Sequence, residues 1–406
     1  MINIVAFCCN WCSYAGADLA GTTRLEYPPE VKIIRVPCSC RVDEQAVLRA
    51  FARGADGVIV CGCHPGDCHY STGNVHTQQH MHTLFGLLEF MGMERQRMRL
   101  EWISAAEGAK FAATMREFVA QVAALGKNTR YGATLDSAYD NTHAIKLNSA
   151  TIKEANHAVH EQILPHMRAR AEEKLTSGAV ARVLAWGSGA FDPSPAPMLF
   201  TDTKTLARMA YNPFCAANHS KYLIEASRES GRTLVFLRPC DAHNFARLVT
   251  ENQIRRDAVC AVGIACGGCL LETCHTCAKI DHPMVDETID IALTDRTAAN
   301  PDARFADIEH LDGETPDARY AFWQAHLTRC IRCNACRNAC PTCHCKTCIR
   351  DGSHPMEHLH FHITRAFHQA GRCTDCGQCG RVCPQRIPLH LLNRKHIQIT
   401  EEEAAT

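Results

Sequence analysis

The chain has 406 residues, 43 basic and 43 acidic side chains and 46% hydrophobic residues. That length and apolar content predict two or three domains with buried cores, and the zero formal charge excludes the basic footprint of a nucleic-acid binder. No run approaches the roughly 20 apolar residues of a membrane helix. The 26 cysteines are the outstanding excess. The first residues, Met1 to Cys9, carry no basic region and no cleavage site of an export signal. The thiols are therefore read as metal ligands in a reducing cytoplasm and not as disulfides. The expectation is a soluble cytoplasmic metalloprotein.

Residues 1–127 alternate between strand and helix. Apolar runs at Ile2–Phe7, Val31–Val36, Gly57–Val60 and Arg99–Ile103 are too short for helices and read as buried strands. Between them, Val47, Ala50, Phe51 and Gly54 share a helical face, as do Met81, Leu84, Phe85 and Leu88. A last helix carries Phe111, Met115, Phe118, Val119, Val122 and Leu125, with a capping box at Ser104 and Glu107 and a stop at Gly126. This order specifies a doubly wound parallel sheet, α/β in class, expected to be complete and to fold alone. Cysteines follow three of the strands: Cys8, Cys9 and Cys12, then Cys38 and Cys40, then Cys61, Cys63 and Cys68. Ligand sites of such sheets lie beyond the carboxyl ends of the strands. Isolated buried cysteines are common, but eight confined to three strand ends point to a metal site.

These residues resemble a known family. Phe7-Cys-Cys-Asn-Trp-Cys-Ser-Tyr-Ala-Gly-Ala-Asp-Leu-Ala-Gly21, Tyr27-Pro-Pro, Arg35-Val-Pro-Cys-Ser-Cys-Arg-Val-Asp43 and Gly62-Cys-His-Pro-Gly-Asp-Cys-His-Tyr70 look like the delta subunit of methyl-viologen-reducing hydrogenase. The resemblance implies a [2Fe–2S] cluster held by four of Cys9, Cys12, Cys38, Cys63 and Cys68. It also implies electron transfer to the flavin subunit of heterodisulfide reductase.

Residues 128–150 are polar, without periodicity, and read as a linker. From 151 to 325 an α/β middle domain follows. Its strands are expected at Val180–Trp186, Pro197–Phe200, Thr233–Leu237 and Val259–Ala265, and its helices at Ile152–Lys174, Thr203–Tyr211, Ser220–Ser230 and His243–Glu251. Cys266, Cys269, Cys274 and Cys277 follow the last strand at a spacing that suits a third [4Fe–4S] cluster or a zinc ion, with Cys240 a candidate ligand from the neighbouring strand. Residues 281–319 hold eleven acidic and three basic side chains and read as a solvated connector without chemistry.

Residues 326–406 carry one pattern twice: Cys330-x2-Cys333-x2-Cys336-x3-Cys340-Pro341 and Cys373-x2-Cys376-x2-Cys379-x3-Cys383-Pro384. In the bacterial ferredoxin run the fourth cysteine serves the other cube. Cluster I is therefore assigned to Cys330, Cys333, Cys336 and Cys383, and cluster II to Cys373, Cys376, Cys379 and Cys340. Zinc takes four ligands per site and leaves the third cysteine and the trailing Cys-Pro unexplained. The insert 341–372 brings Cys343, Cys345 and Cys348, one thiol short of a further cluster, so packing around cluster II is an equal reading. His354, His358, His360, His362 and His368 follow; no single regular element unites them, and a surface helix packed on the clusters is the default.

From Arg238-Pro-Cys-Asp241 through Asn252-Gln-Ile254 and Gly263-Ile-Ala-Cys-Gly267 to the ferredoxin pair, the chain is similar to beta subunits of deazaflavin-dependent hydrogenases and formate dehydrogenases. Some of these bind FAD and exchange hydride with a soluble coenzyme. The combined expectation is an iron–sulfur relay within an electron-bifurcating complex. It would link a heterodisulfide-reductase-like flavin subunit to a subunit of a hydrogenase, formate dehydrogenase or NADH dehydrogenase. The alternative is a flavin-containing beta subunit that oxidises or reduces a nicotinamide or deazaflavin coenzyme.

Overall fold

Four short apolar runs near the N-terminus close into one parallel sheet. The computed structural model describes residues 2–130, 152–188, 195–267, 274, 277, 279–289, 304–348 and 358–405. Strands β1 (Ile4–Cys9), β2 (Val31–Val36), β3 (Gly57–Gly62) and β4 (Met98–Trp102) lie in the order β2-β1-β3-β4, every neighbour parallel. β1 and β3 are buried throughout, as central strands covered on both faces must be. Helices α1 (Ser13–Thr22) and α4 (Gly108–Leu125) cover one face through Ala17, Ala20, Phe111, Met115 and Phe118. Helices α2 (Glu44–Ala52) and α3 (Gly73–Phe90) cover the other through Val47, Phe51, Leu84, Phe85 and Leu88. The chain winds outward in both directions from the β1/β3 pair, which makes that pair the switch point where such sheets bind ligands. β1 ends two residues beyond the expected run, at Cys9 itself. The capping box is half formed: Glu107 accepts from the Ser104 N–H at 2.6 Å, but the helix starts after Glu107.

A second sheet carries β5 (Arg182–Gly187), β6 (Ala196–Phe200), β7 (Thr233–Leu237), β8 (Val259–Ile264) and β9 (Glu287–Ile289), in the order β6-β5-β7-β8-β9 with β6 antiparallel at one edge. Helix α5 (Ile152–Thr176) packs Ile163, Met167 and Ala171 on one face. The other face receives a single turn, α6 (Leu223–Ala226), and α7 (Pro239–Thr250) with Ala242, Phe245 and Leu248. The helix expected over Thr203–Tyr211 is a 3-10 segment ending at Arg208, because Met209 and Ala210 are drawn into pairing with the end of β5. The one expected over Ser220–Ser230 is reduced to α6, and the one expected at His243 starts earlier, at Pro239.

The acidic connector is the clearest correction. Residues 281–319 contribute β9, helix α8 (Ala306–Asp312) and the start of α9 (Pro316–Leu327). Ile308, Leu311 and Trp323 are buried in the same core as α3. Asp307, Glu309, Asp312 and Asp317 stand on these short helices beside the apolar residues that face the core. The C-terminal part continues with α10 (Ala335–Ala339), α11 (His358–His368), α12 (Gln378–Arg381) and α13 (Leu389–Ala405).

The N-terminal sheet is not self-contained. The outer side of α3, with Leu87, Phe90 and Met91, shares one hydrophobic core with Ile363, Ile387, Leu389 and Leu392 of the C-terminal part. A Cβ at Gly92, where φ is +93°, would stand 2.4 Å from the Pro316 carbonyl oxygen. Among the described residues no helix is long and apolar enough to cross a membrane.

Candidate metal centres

At the β1/β3 switch point the thiols of Cys9, Cys12 and Cys63 are buried and lie within 4.8 Å of one another. Cys9 closes β1, Cys12 begins α1, and Cys63 follows β3 directly. Ser13 Oγ donates to the Cys61 carbonyl at 2.8 Å and pins the start of α1 to β3, while Asn74 Nδ2 donates to the carbonyls of Cys63 and His64. The Cys9 and Cys63 sulfurs are 3.8 Å apart, the separation of two thiolates on one tetrahedral metal at about 2.3 Å. Hydrogen bonding from the Cys12 thiol draws Cys9 down to about 5, against burial. Cys12 is driven up by the same pairing with Cys9 and by burial, and Cys63 chiefly by burial. Such thiols lose their protons together when a cation supplies the opposing charge, so the donor set fits an iron or zinc centre.

The other motif thiols gather next to it. Cys38 opens the turn after β2, and Cys68 lies in the loop before α3. A Cβ on Gly73, at the first position of α3, would meet Cys38 Sγ at 2.7 Å, Cys68 Sγ at 3.1 Å and Cys40 Sγ at 3.5 Å. Only glycine leaves the N-terminus of this 18-residue helix open to three thiols, and burial pushes the Cys38 thiol up to about 12. Cys8 and Cys61 face each other across β1 and β3 in the apolar layer under α1 and α4.

In the C-terminal part Cys330, Cys333, Cys336 and Cys383 line one cavity, closed by Phe361 and Ile387. The charge of Cys383 bears on Cys330 and Cys336, whereas that of Cys340 bears on Cys373, Cys376 and Cys379. The two cysteine triplets also repeat a backbone. Arg332 and Asn334 have positive φ in the first, Asp375 and Gly377 at the same steps in the second, and α10 and α12 then carry the third cysteine. Left-handed steps between right-handed ones turn successive N–H groups toward a common centre, a nest of the kind that surrounds Fe–S clusters. Burial pushes Cys376 up to about 12 and Cys379 up to about 11. Among the described residues only Cys9, Cys12 and Cys63 crowd as one ion requires.

The remaining candidates follow the second sheet. Cys240 lies on the first turn of α7 and Cys266 just past β8, at the ends of neighbouring strands; Cys277 lines a cleft shared with Cys373. Cys274 is placed among the described residues and Cys269 lies outside them. Arg238 and Asp241 of the same motif are spent on each other: the buried guanidinium donates to the carboxylate at 2.7 Å and to the carbonyls of Cys215 and Ala217.

In the insert, Cys343 Sγ accepts from Gln369 Nε2 at 3.0 Å beside Cys340; Cys345 is exposed and Cys348 half-buried. His354 lies outside the described residues, as does the side chain of His358. The histidine helix is no surface element, since His360 and His362 are buried because α11 is sandwiched between the cluster loops and the N-terminal helices. His362 Nε2 contacts Cys330 Sγ at 3.3 Å, while His368 turns away to Glu44 of α2 at 3.3 Å. Sequence reasoning passed over Arg365 on this helix and Lys221 in the middle domain, both of which face cysteine loops. Arg365 left one signal, a permanent cation in a helix that is otherwise apolar, histidine or threonine; Lys221 left none.

Residues 4–126 match the family model described as methyl-viologen-reducing hydrogenase, delta subunit. The chain is 50% identical over 127 residues to the vhc iron-sulfur subunit of the F420-non-reducing hydrogenase of Methanococcus voltae, covering 31% of this chain and 88% of that protein. It is 53% identical over 124 residues to the corresponding iron-sulfur subunit of the Archaeoglobus profundus F420-non-reducing hydrogenase, covering 30% and 90%. A third relative is one subunit of the ferredoxin/F(420)H(2)-dependent CoB-CoM heterodisulfide reductase of Methanosarcina acetivorans. It is 47% identical over 123 residues, 30% of this chain and 16% of that protein.

Proposed function

Since the chain belongs, through residues 4–126, to the methyl-viologen-reducing hydrogenase delta-subunit family, we propose that it is an iron–sulfur electron relay of an electron-bifurcating complex. It would work between a heterodisulfide-reductase-like flavin subunit and a subunit of a hydrogenase, formate dehydrogenase or NADH dehydrogenase. One observation carries this reading: the same domain makes up 88% of a hydrogenase iron-sulfur subunit in one relative and 16% of a heterodisulfide reductase subunit in another. A domain used in both settings is suited to the junction between the two enzymes. Here it is joined to a cysteine-rich module that resembles a two-cluster ferredoxin.

In this reading four of Cys9, Cys12, Cys38, Cys63 and Cys68 hold a [2Fe–2S] cluster. Cys330, Cys333, Cys336 and Cys383 hold one [4Fe–4S] cluster, and Cys373, Cys376, Cys379 and Cys340 another, with a third cube at Cys240, Cys266, Cys269, Cys274 and Cys277 open. The groups would supply one-electron transfer. The protein's part is to bury the thiols, aim backbone N–H groups at them and expose one edge to a partner. Trp11 stacks on His69 at 3.8 Å, and both Trp11 and Tyr70 are about half exposed beside the switch-point thiols. Exposed aromatic residues of this kind are enriched at docking surfaces. The flavin-enzyme alternative gains no specific support, because the Arg238 and Asp241 side chains are committed to each other.

Anaerobically reconstituted full chain should contain about 10 iron atoms, or about 14 with a third cube. On mixing with reduced heterodisulfide-reductase-type flavin subunit, cluster absorbance should bleach quickly. Cys63→Ser should bleach far more slowly while retaining its cubane signals. Equal rates in the two proteins would remove the N-terminal domain from the docking role.

A further inference from the structure

Arg365 sits on α11 between the two ferredoxin-type cysteine groups. It is only 7% exposed, and its Nη2 donates to the Cys336 carbonyl at 3.1 Å. Its Nε has no hydrogen-bond partner among the described residues. Among the described residues no carboxylate pairs with it, and a buried cation without such a partner is costly to take from water. The groups whose charge bears on it are the thiols of Cys379, Cys340, Cys336 and Cys343. One of these belongs to the set assigned to cluster I and two to the set assigned to cluster II. The influence is mutual, since the guanidinium acts on each of the four sulfurs.

We propose that Arg365 is a potential-setting residue shared by the two [4Fe–4S] sites, a fixed buried cation that makes both easier to reduce. The proposal rests on the cluster assignment above and adds a role for a residue that binds no iron. Reduction adds negative charge to a site, and a positive charge held in a low-dielectric interior stabilises that added charge far more than one in water. Because arginine keeps its proton at any working pH, the bias is constant. Lys221 supplies the contrast. Its Nζ reaches the carbonyls of Arg337, Cys340 and Cys343 at 3.3, 3.2 and 3.1 Å, so its charge falls on the Cys340 side.

The test is an EPR-monitored redox titration of the reconstituted full chain, with iron counted in every sample. Arg365→Gln keeps a polar side chain on the same stem and removes the charge; both cubane potentials should fall, each by ~tenfold in its reduction equilibrium, or 59 mV for a one-electron couple. Arg365→Lys should restore most of the shift, and Lys221→Met should move one potential alone. Unchanged potentials in Arg365→Gln at full iron content would overturn the proposal. So would loss of iron in Arg365→Gln but not in Arg365→Lys, which would make the residue structural, or equal movement of both potentials in Lys221→Met. A wild-type chain without two cubane signals would sink the cluster assignment itself, and the proposal with it.

Discussion

The two cysteine regions hold the same kind of ligand in different ways. At the N-terminus, Cys9 and Cys63 follow adjacent central strands whose hydrogen-bonded register sets the spacing of their ends. At the C-terminus, the triplets sit on loops with positive φ at Arg332, Asn334 and Asp375, conformations that cost about 1–3 kcal/mol each unless the surroundings impose them. For the second triplet part of those surroundings is the middle domain. Gln378 Nε2 donates to the Ala216 carbonyl at 2.6 Å, Thr374 Oγ1 to Asn244 Oδ1 at 2.7 Å, and Arg372 pairs with Glu251 at 2.6 Å. A sheet edge positions thiols by its own ladder, whereas a loop cradle depends on its neighbours. The two sites should therefore fail separately.

The largest effect is expected at Asp241. It is fully buried against Arg238, which also holds the loop bearing Cys215 and Ala217. Asp241→Ala leaves an uncompensated buried cation and should destabilise the chain by about 3–5 kcal/mol. Thermal melts followed by cluster spectra should show the Cys373–Cys379 site lost first and the N-terminal site persisting. Simultaneous loss of both would break the contrast.

A smaller effect is expected where the two regions meet. Gly92→Ala places a methyl group against the backbone of Pro316 and Tyr320 at a left-handed φ, with a cost of about 1–3 kcal/mol. It should open the seam between α3 and α9, raising hydrogen exchange along both helices while the N-terminal spectrum stays unchanged. Protection equal to wild type would mean that the seam adds little.

The sheet and its thiol-bearing edge were legible because strand runs and cysteine positions are local facts, and the rule for ligand sites in parallel sheets does the rest. The seam was less so. From Leu84 to Phe90 only Glu89 is polar, a sign of burial on a second side of α3, but nothing local names Ile363 or Leu392 as the cover. Ile308 and Leu311 were hidden in the connector by the acidic residues around them. His362 was visible as one of a histidine run, yet its contact with Cys330 spans 32 positions and follows only from the path of the insert. Arg365 and Lys221 act through tertiary placement, which spacing does not encode.

The most direct test of the account is the crossed pairing of the two cysteine runs, read by EPR and Mössbauer spectroscopy of reduced full-length variants. Cys333→Ser and Cys376→Ser identify the signal of each site. The account predicts that Cys340→Ser alters the same signal as Cys376→Ser, although Cys340 is the sequence neighbour of Cys336, and that Cys383→Ser alters the same signal as Cys333→Ser. Cys340→Ser altering the Cys333 signal instead would contradict it.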